Sequence, residues 1–201
     1  MSDAPNPRLQ RTRWRAPLSR KPLTGPKDDP NMLIYLDANL VQYCADHSDF
    51  IFGESDTCEQ ADSDLEKELS ALHRLVELEQ LGDWSFAAPR HLLEELRAGK
   101  PTEEQKETYK TLEEAWSDSA WLDDGRPAED MISSIEQSLG VLELKHASDR
   151  RHLAEAIALN ASWFLTNDKD ILRKTKGCVH GVRIHRPSEC LQEISVGLFL
   201  R

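Results

Sequence analysis

The run Met32-Leu33-Ile34-Tyr35-Leu36, bounded by Pro30 and by Asp37, constrains this chain more than any other segment. Consecutive apolar residues with no polar alternation describe a strand covered on both faces. Such strands belong to parallel sheets buried between helices. A carboxylate directly after the run then stands at the carboxyl edge of the sheet, where open α/β folds build their sites.

The rest of the chain agrees with that class. Asp37-Ala38-Asn39 opens a helix through Leu40, Val41 and Tyr43, and residues 46–64 are acidic and irregular. Apolar residues recur at helical spacing from Leu65 to Leu81, with Gly82 as the stop. Trp84 to Ala88 reads as a short strand, and Pro89 starts a helix that ends at Gly99. Residues 102–118 form a charged, second-tier helix with Tyr109, Leu112 and Trp116 on one face. A helical pattern over 128–144 is interrupted near Gly140. Ser148 is the expected cap of the next helix. Trp163-Phe164-Leu165 and Val182 to Ile184 are strands, and Pro187 starts a terminal helix. Strands alternating with helices predict a parallel α/β sheet.

With 201 residues the chain is long enough for one domain with appendages. Residues 1–31 hold six prolines among arginines, carry a net charge of +4 and lack apolar periodicity. They are expected to be a disordered basic arm ahead of a domain spanning 32–201, with Met32 as an alternative start. The arm has no apolar core segment and is not expected to be a secretory signal. No apolar run approaches the roughly 18 residues of a membrane span. Cys44, Cys58, Cys178 and Cys190 form no zinc-type spacing and read as reduced thiols of a cytoplasmic protein. The net charge of −11 is unevenly spread: residues 32–144 carry −19, whereas 145–186 carry +5.

Four acidic motifs follow one another: YLDAN with Asp37, EELRAG with Glu94 and Glu95, SDRRHLAEA with Asp149, and FLTNDKD with Asp168 and Asp170. Singly, each has an ordinary reading. Asp37 is a helix cap, Asp149 a first-turn acid favoured by the helix dipole, and Glu94-Glu95 a solvated pair. His152, alone on its helix, reads as structural. Asn-Asp suits a turn. Jointly, acids at strand ends and helix starts describe one cluster, which repels itself unless cations neutralise it. Magnesium and manganese prefer such oxygen ligands. No P-loop, GxGxxG stretch or Ser/His/Asp arrangement offers a rival chemistry.

This ordered set resembles the PIN-domain nucleases, especially the VapC-type toxins, from about Met32 to the C-terminus. LDAN is similar to the first acidic motif, ELRAG to the second with Glu95 as the matching acid, DRRHLAEA to the third and LTNDKD to the fourth. The resemblance implies a three-layer sandwich with a central, mostly parallel sheet and inserted helices near 46–64 and 100–145. It implies Mg²⁺- or Mn²⁺-dependent hydrolysis of RNA, with Asp37, Glu95, Asp149 and Asp168 as catalytic metal ligands. Asp170 is then an auxiliary ligand, and Thr166 matches a hydroxyl residue common in the family. By their own spacing, Asn39 suits a donor that orients Asp37, and the Thr166 hydroxyl can orient Asp168 or Asp170. An antitoxin protein and a second copy of the chain are the associations it suggests. Arg150, Arg151, Lys169, Arg173 and Lys174 of the positive block are candidates for the RNA backbone, against a reading of solvated helix faces. The contrasting expectation is a PIN-like interaction or RNA-binding module without catalysis. A metal-dependent phosphatase or a receiver domain fits less well, for lack of a DxDxT motif and of a well-placed late lysine.

A chain beginning at Met32 is expected to melt cooperatively and close to the full-length temperature, because the arm has no core to bury. A large loss of stability in that calorimetric comparison would show the arm to be part of the domain.

Overall fold

The computed structural model describes residues 32–53, 62–79, 84–88, 90–113, 116 and 127–199. The basic arm, Cys58, Gly82 and Pro89 lie outside these residues. The expected apolar run is strand β1 (Met32–Leu36), followed by α1 (Ala38–Asp46), a short α2 (Ser48–Ile51) and α3 (Ser63–Glu79). Then come β2 (Trp84–Ala87), α4 (Arg90–Ala98), α5 (Glu103–Leu112) and α6 (Glu129–Ser138), the last running into a 3-10 turn over Leu139–Leu142. Helix α7 (Ala147–Ala158), β3 (Trp163–Leu165), α8 (Lys169–Thr175), β4 (Cys178–Val179), β5 (Val182–His185) and α9 (Pro187–Phe199) complete the chain.

The strands form one sheet in the order β2-β1-β3-β5-β4. All pairings are parallel except β4 with β5. The antiparallel pair is closed by His180 (φ 48°) and Gly181 (φ 88°). Positive φ at both central residues is the signature of a two-residue type I′ hairpin. Residues of both faces of β1, β2 and β3 are buried, so helices must cover the sheet on two sides. The protein is therefore an α/β fold with a five-stranded, mostly parallel central sheet, compatible with a three-layer sandwich.

One core runs through the molecule. Tyr35 and Phe164 stack across β1 and β3 with ring centroids 5.4 Å apart. The charged helix α5 is not a second tier. Tyr109, Leu112 and the following Trp116 are all buried in the main core, and Trp116 meets Phe86 of β2 at 5.2 Å. A capping box between Thr102 and Gln105 starts α5. The Tyr109 hydroxyl donates to Gln42 (2.6 Å), and Gln42 and Gln105 both donate to Asp46, fastening α5 to α1. Glu68 of α3 is buried and accepts from the Ser188 amide and hydroxyl (2.9 and 2.8 Å), which anchors the start of α9. Cys44, Cys178 and Cys190 are free thiols, so no bridge joins Cys178 to Cys190. No described helix is long and apolar enough to cross a membrane.

Register sets the functional edge. Leu36 pairs with Leu165, so the next residues, Asp37 and Thr166, leave the sheet side by side. The chain runs from β1 to β2 on one side and returns to β3 on the other, which makes the β1/β3 crevice the switch point of the topology. Phe164→Ala removes a buried ring between these strands. It is expected to lower unfolding stability by about 3–5 kcal/mol in denaturant titration.

Candidate active site at the carboxyl edge of the sheet

Asp37 is 3% exposed and caps α1, as the helix-cap reading anticipated. A buried carboxylate needs donors, and four surround it. The Ala38 amide donates to Oδ1 at 2.8 Å. Asn39 Nδ2 (2.6 Å) and the Thr166 hydroxyl (2.7 Å) donate to Oδ2. His152 Nδ1 lies 3.4 Å from Oδ1. Asn39 thus orients Asp37 as expected, whereas the Thr166 hydroxyl, expected to orient Asp168 or Asp170, donates to Asp37. Thr166 also accepts from the Asp168 amide at 3.0 Å. Asn39 accepts from the Asn167 amide at 3.3 Å, tying the ends of β1 and β3 together.

Asp168 caps α8, its Oδ1 accepting from the Asp170 and Ile171 amides at 2.6 and 3.0 Å. Asp149 lies in the first turn of α7, whose cap is His146 rather than Ser148; Ser148 sits inside the helix. Asp149 Oδ2 is buried and has no hydrogen-bond partner. Burial, and then the charges of Asp37 and Asp168, raise the Asp149 carboxyl above its ordinary value, although His146 and His152 oppose the shift. The charges of Asp37 and Asp168 therefore both reach the Asp149 carboxyl.

Glu95 on α4 is the outlying acid. Its side chain is 57% exposed, and Oε2 lies 3.4 Å from Nε2 of His152. His152 is the residue that sequence reasoning missed. It is buried on α7 and stands between Asp37 and Glu95. A signal existed: His152 follows Asp149 by three residues and so shares its helix face. Burial works against a charged imidazole. The Asp37 hydrogen bond and the charges of Asp37, Glu95 and Glu155 outweigh it and hold His152 above its usual value.

The basic candidates divide. Lys169 is exposed at the start of α8 and Arg150 is half-buried beside a polar cleft lined by Ser133, Gln137 and Gly140. Arg151 instead grips Glu129 of α6 with two bonds (2.6 and 2.7 Å) and Glu155 at 3.2 Å. Glu155 in turn accepts from the buried Tyr35 hydroxyl at 3.0 Å. Arg173 and Lys174 pair with Asp170 at 2.6 and 2.8 Å. The Lys174 bond, helped by Arg173 and the Lys145 amide, holds the Asp170 carboxyl down at about 2. Asp170 thus has cationic partners within the chain, and Lys174 also donates to the Glu143 carbonyl.

Among the described residues no three His, Cys, Asp or Glu side chains already stand close enough to enclose an ion. The chemistry of the donors nonetheless suits a hard divalent cation, since Asp149 carries a buried, unpartnered carboxylate oxygen and feels the charges of Asp37 and Asp168. The groove of ≈ 740 Å³ between α3 and α9, lined by Lys67, His73, Arg74, Ser188 and Leu191, contains none of these acids.

Asp149→Asn removes a repelled charge and is expected to raise the melting temperature at neutral pH. The folded chain binds the Asp149 proton more tightly than the unfolded chain, whose value is near 3.8. Parental stability therefore falls as pH rises from the unfolded value through the folded one. The variant's advantage should be full above that window and absent below it. Thermal melts on both sides check this, and an advantage that persists in acid overturns it.

Comparison with protein-family models, with curated proteins and with solved structures finds no match to this chain.

Proposed function

We propose that the chain is a metal-dependent endoribonuclease of PIN type, with its active site at the carboxyl edge of β1 and β3. One observation carries the reading: Asp149 Oδ2 at this edge is buried without a hydrogen-bond partner, and the charges of Asp37 and Asp168 both reach that carboxyl. Clustered carboxylates cost stability, and a fold that keeps them has a use for a cation there.

In this reading Asp37, Asp149 and Asp168 hold Mg²⁺ or Mn²⁺, with Glu95 at the open side. When bound, the ion supplies Lewis acidity toward a phosphoryl oxygen and toward water. The chain supplies the rest. Thr166 and Asn39 fix the direction of the Asp37 oxygens, so that carboxylate needs little reorganisation. Asp168 presents one oxygen to the α8 amides, which fixes the orientation of its carboxylate. Of the five candidate cations, Lys169, exposed, and Arg150, half-buried, are the two assigned to the RNA backbone. Arg151, Arg173 and Lys174 are engaged within the chain and serve the scaffold first. RNA as substrate, and an antitoxin or a second copy as partner, rest on the resemblance of the four motifs.

The protein is expected to hydrolyse RNA only with Mg²⁺ or Mn²⁺, to stop on addition of chelator, and to show a melting temperature that climbs with Mn²⁺ concentration. Asp37→Asn should lower cleavage by at least about 100-fold, the upper range for loss of a group that orients and tunes a metal. Undiminished cleavage by that variant refutes the assignment. A parent whose melting ignores Mn²⁺ favours the interaction or RNA-binding module instead.

A further inference from the structure

Glu95 differs from the other acids of the site. Asp37 is fixed by donors from the start of α1 and the end of β3, and Asp168 by the amides of α8. Glu95 is more than half exposed and stands on α4 beside the likewise exposed Glu94. An exposed glutamate keeps several rotamers, and ordering it costs conformational entropy. Something must select the rotamer that reaches the site.

The group in position to do this is His152. Its side chain is 3% exposed, with Nε2 3.4 Å from Glu95 Oε2 and Nδ1 3.4 Å from Asp37 Oδ1. The imidazole is rigidly mounted. One turn on, Glu155 joins its helix to Tyr35 of β1, and Arg151 joins it to Glu129 of α6. A buried imidazole on a fixed helix offers two opposed ring nitrogens in one plane, one toward each carboxylate.

We propose that His152 is a positioning residue that draws Glu95 into the acidic site, taking its own orientation from Asp37 and passing it to Glu95 through Nε2. This rests on the reading of the cluster as a metal site, yet the His152–Glu95 contact is testable without metal. His152 sets where the fourth carboxylate stands and is not itself a ligand.

Two substitutions separate the ring nitrogens. The amide of His152→Asn reaches from the Nδ1 position toward Asp37, and that of His152→Gln reaches from the Nε2 position toward Glu95. In metal-free melts, the temperature loss of the His152→Asn, Glu95→Gln double variant should be smaller than the sum of the single losses. Additive losses overturn the proposal. In calorimetric titration with Mn²⁺, His152→Asn and Glu95→Gln should each weaken binding by about 10-fold or more, the cost of losing a group that orients a ligand. The double variant should lose no more, and His152→Gln, which gives up the Asp37 contact but keeps a group toward Glu95, should lose clearly less than His152→Asn. Unchanged affinity in His152→Asn, or equal loss in His152→Gln, also overturns it. Should His152→Asn fail to fold, the same cycle run with His152→Leu and the Mn²⁺ titration of His152→Gln decide it by the same criteria. A parent that binds no Mn²⁺ removes the nuclease reading, while the metal-free cycle still decides whether His152 holds Glu95.

Discussion

The molecule is organised around a carboxylate that cannot be left alone. Asp37 is buried at the end of β1, a strand paired on both sides, and an unsatisfied charge there would cost several kcal/mol, about 3–5 when one partner of a buried pair is lost. The fold answers with donors from separate segments: an amide and an asparagine from α1, a hydroxyl from the end of β3 and an imidazole from α7. Satisfying one group therefore brings three elements of the site to a common point. The local geometry is the same whether the carboxylate serves chemistry or architecture. That is why the unpartnered oxygen of Asp149, rather than Asp37 itself, argues for a cation.

Much of this was legible in the residues. The strand at Met32–Leu36 needs only its unbroken apolar run, and Asn39 and Thr166 were found from their spacing to Asp37 and Asp168. What was not legible depends on long-range contact. His152 looked ordinary because no local pattern says that α7 brings its Asp149 face to β1. Ser148 has the chemistry of a cap, but the helix begins one residue earlier, and side-chain capping is only one way to finish a helix end. Strand β4 escaped because two residues have no periodicity and are a strand only by virtue of β5. Asp170 is the instructive case. Arg173 and Lys174 stand three and four residues after it, the spacing of helical ion pairs, so its pairing within α8 was visible locally.

The described helices of the stretch near 100–145 pack into the domain. Helix α5 delivers Tyr109 and Leu112 to the main core, and α6 is tied through Glu129 and Arg151 to the helix that carries Asp149 and His152. The acidity of α6 is in part used internally, since Arg151 of α7 pairs with Glu129 and Glu136. The strongly negative middle of the chain is thus no uniform repulsive coat.

The short β4–β5 hairpin has a consequence for the molecule among its own copies. A parallel sheet left open at its last strand would display a row of unpaired amides and carbonyls, a template for another chain. Here β5 is paired on its outer side, and the strand that takes its place as the edge contributes only two residues. A two-residue ladder bordered by a tight turn offers little purchase for strand addition. At this side the sheet closes itself off, which favours colloidal stability at the concentrations where open β edges aggregate.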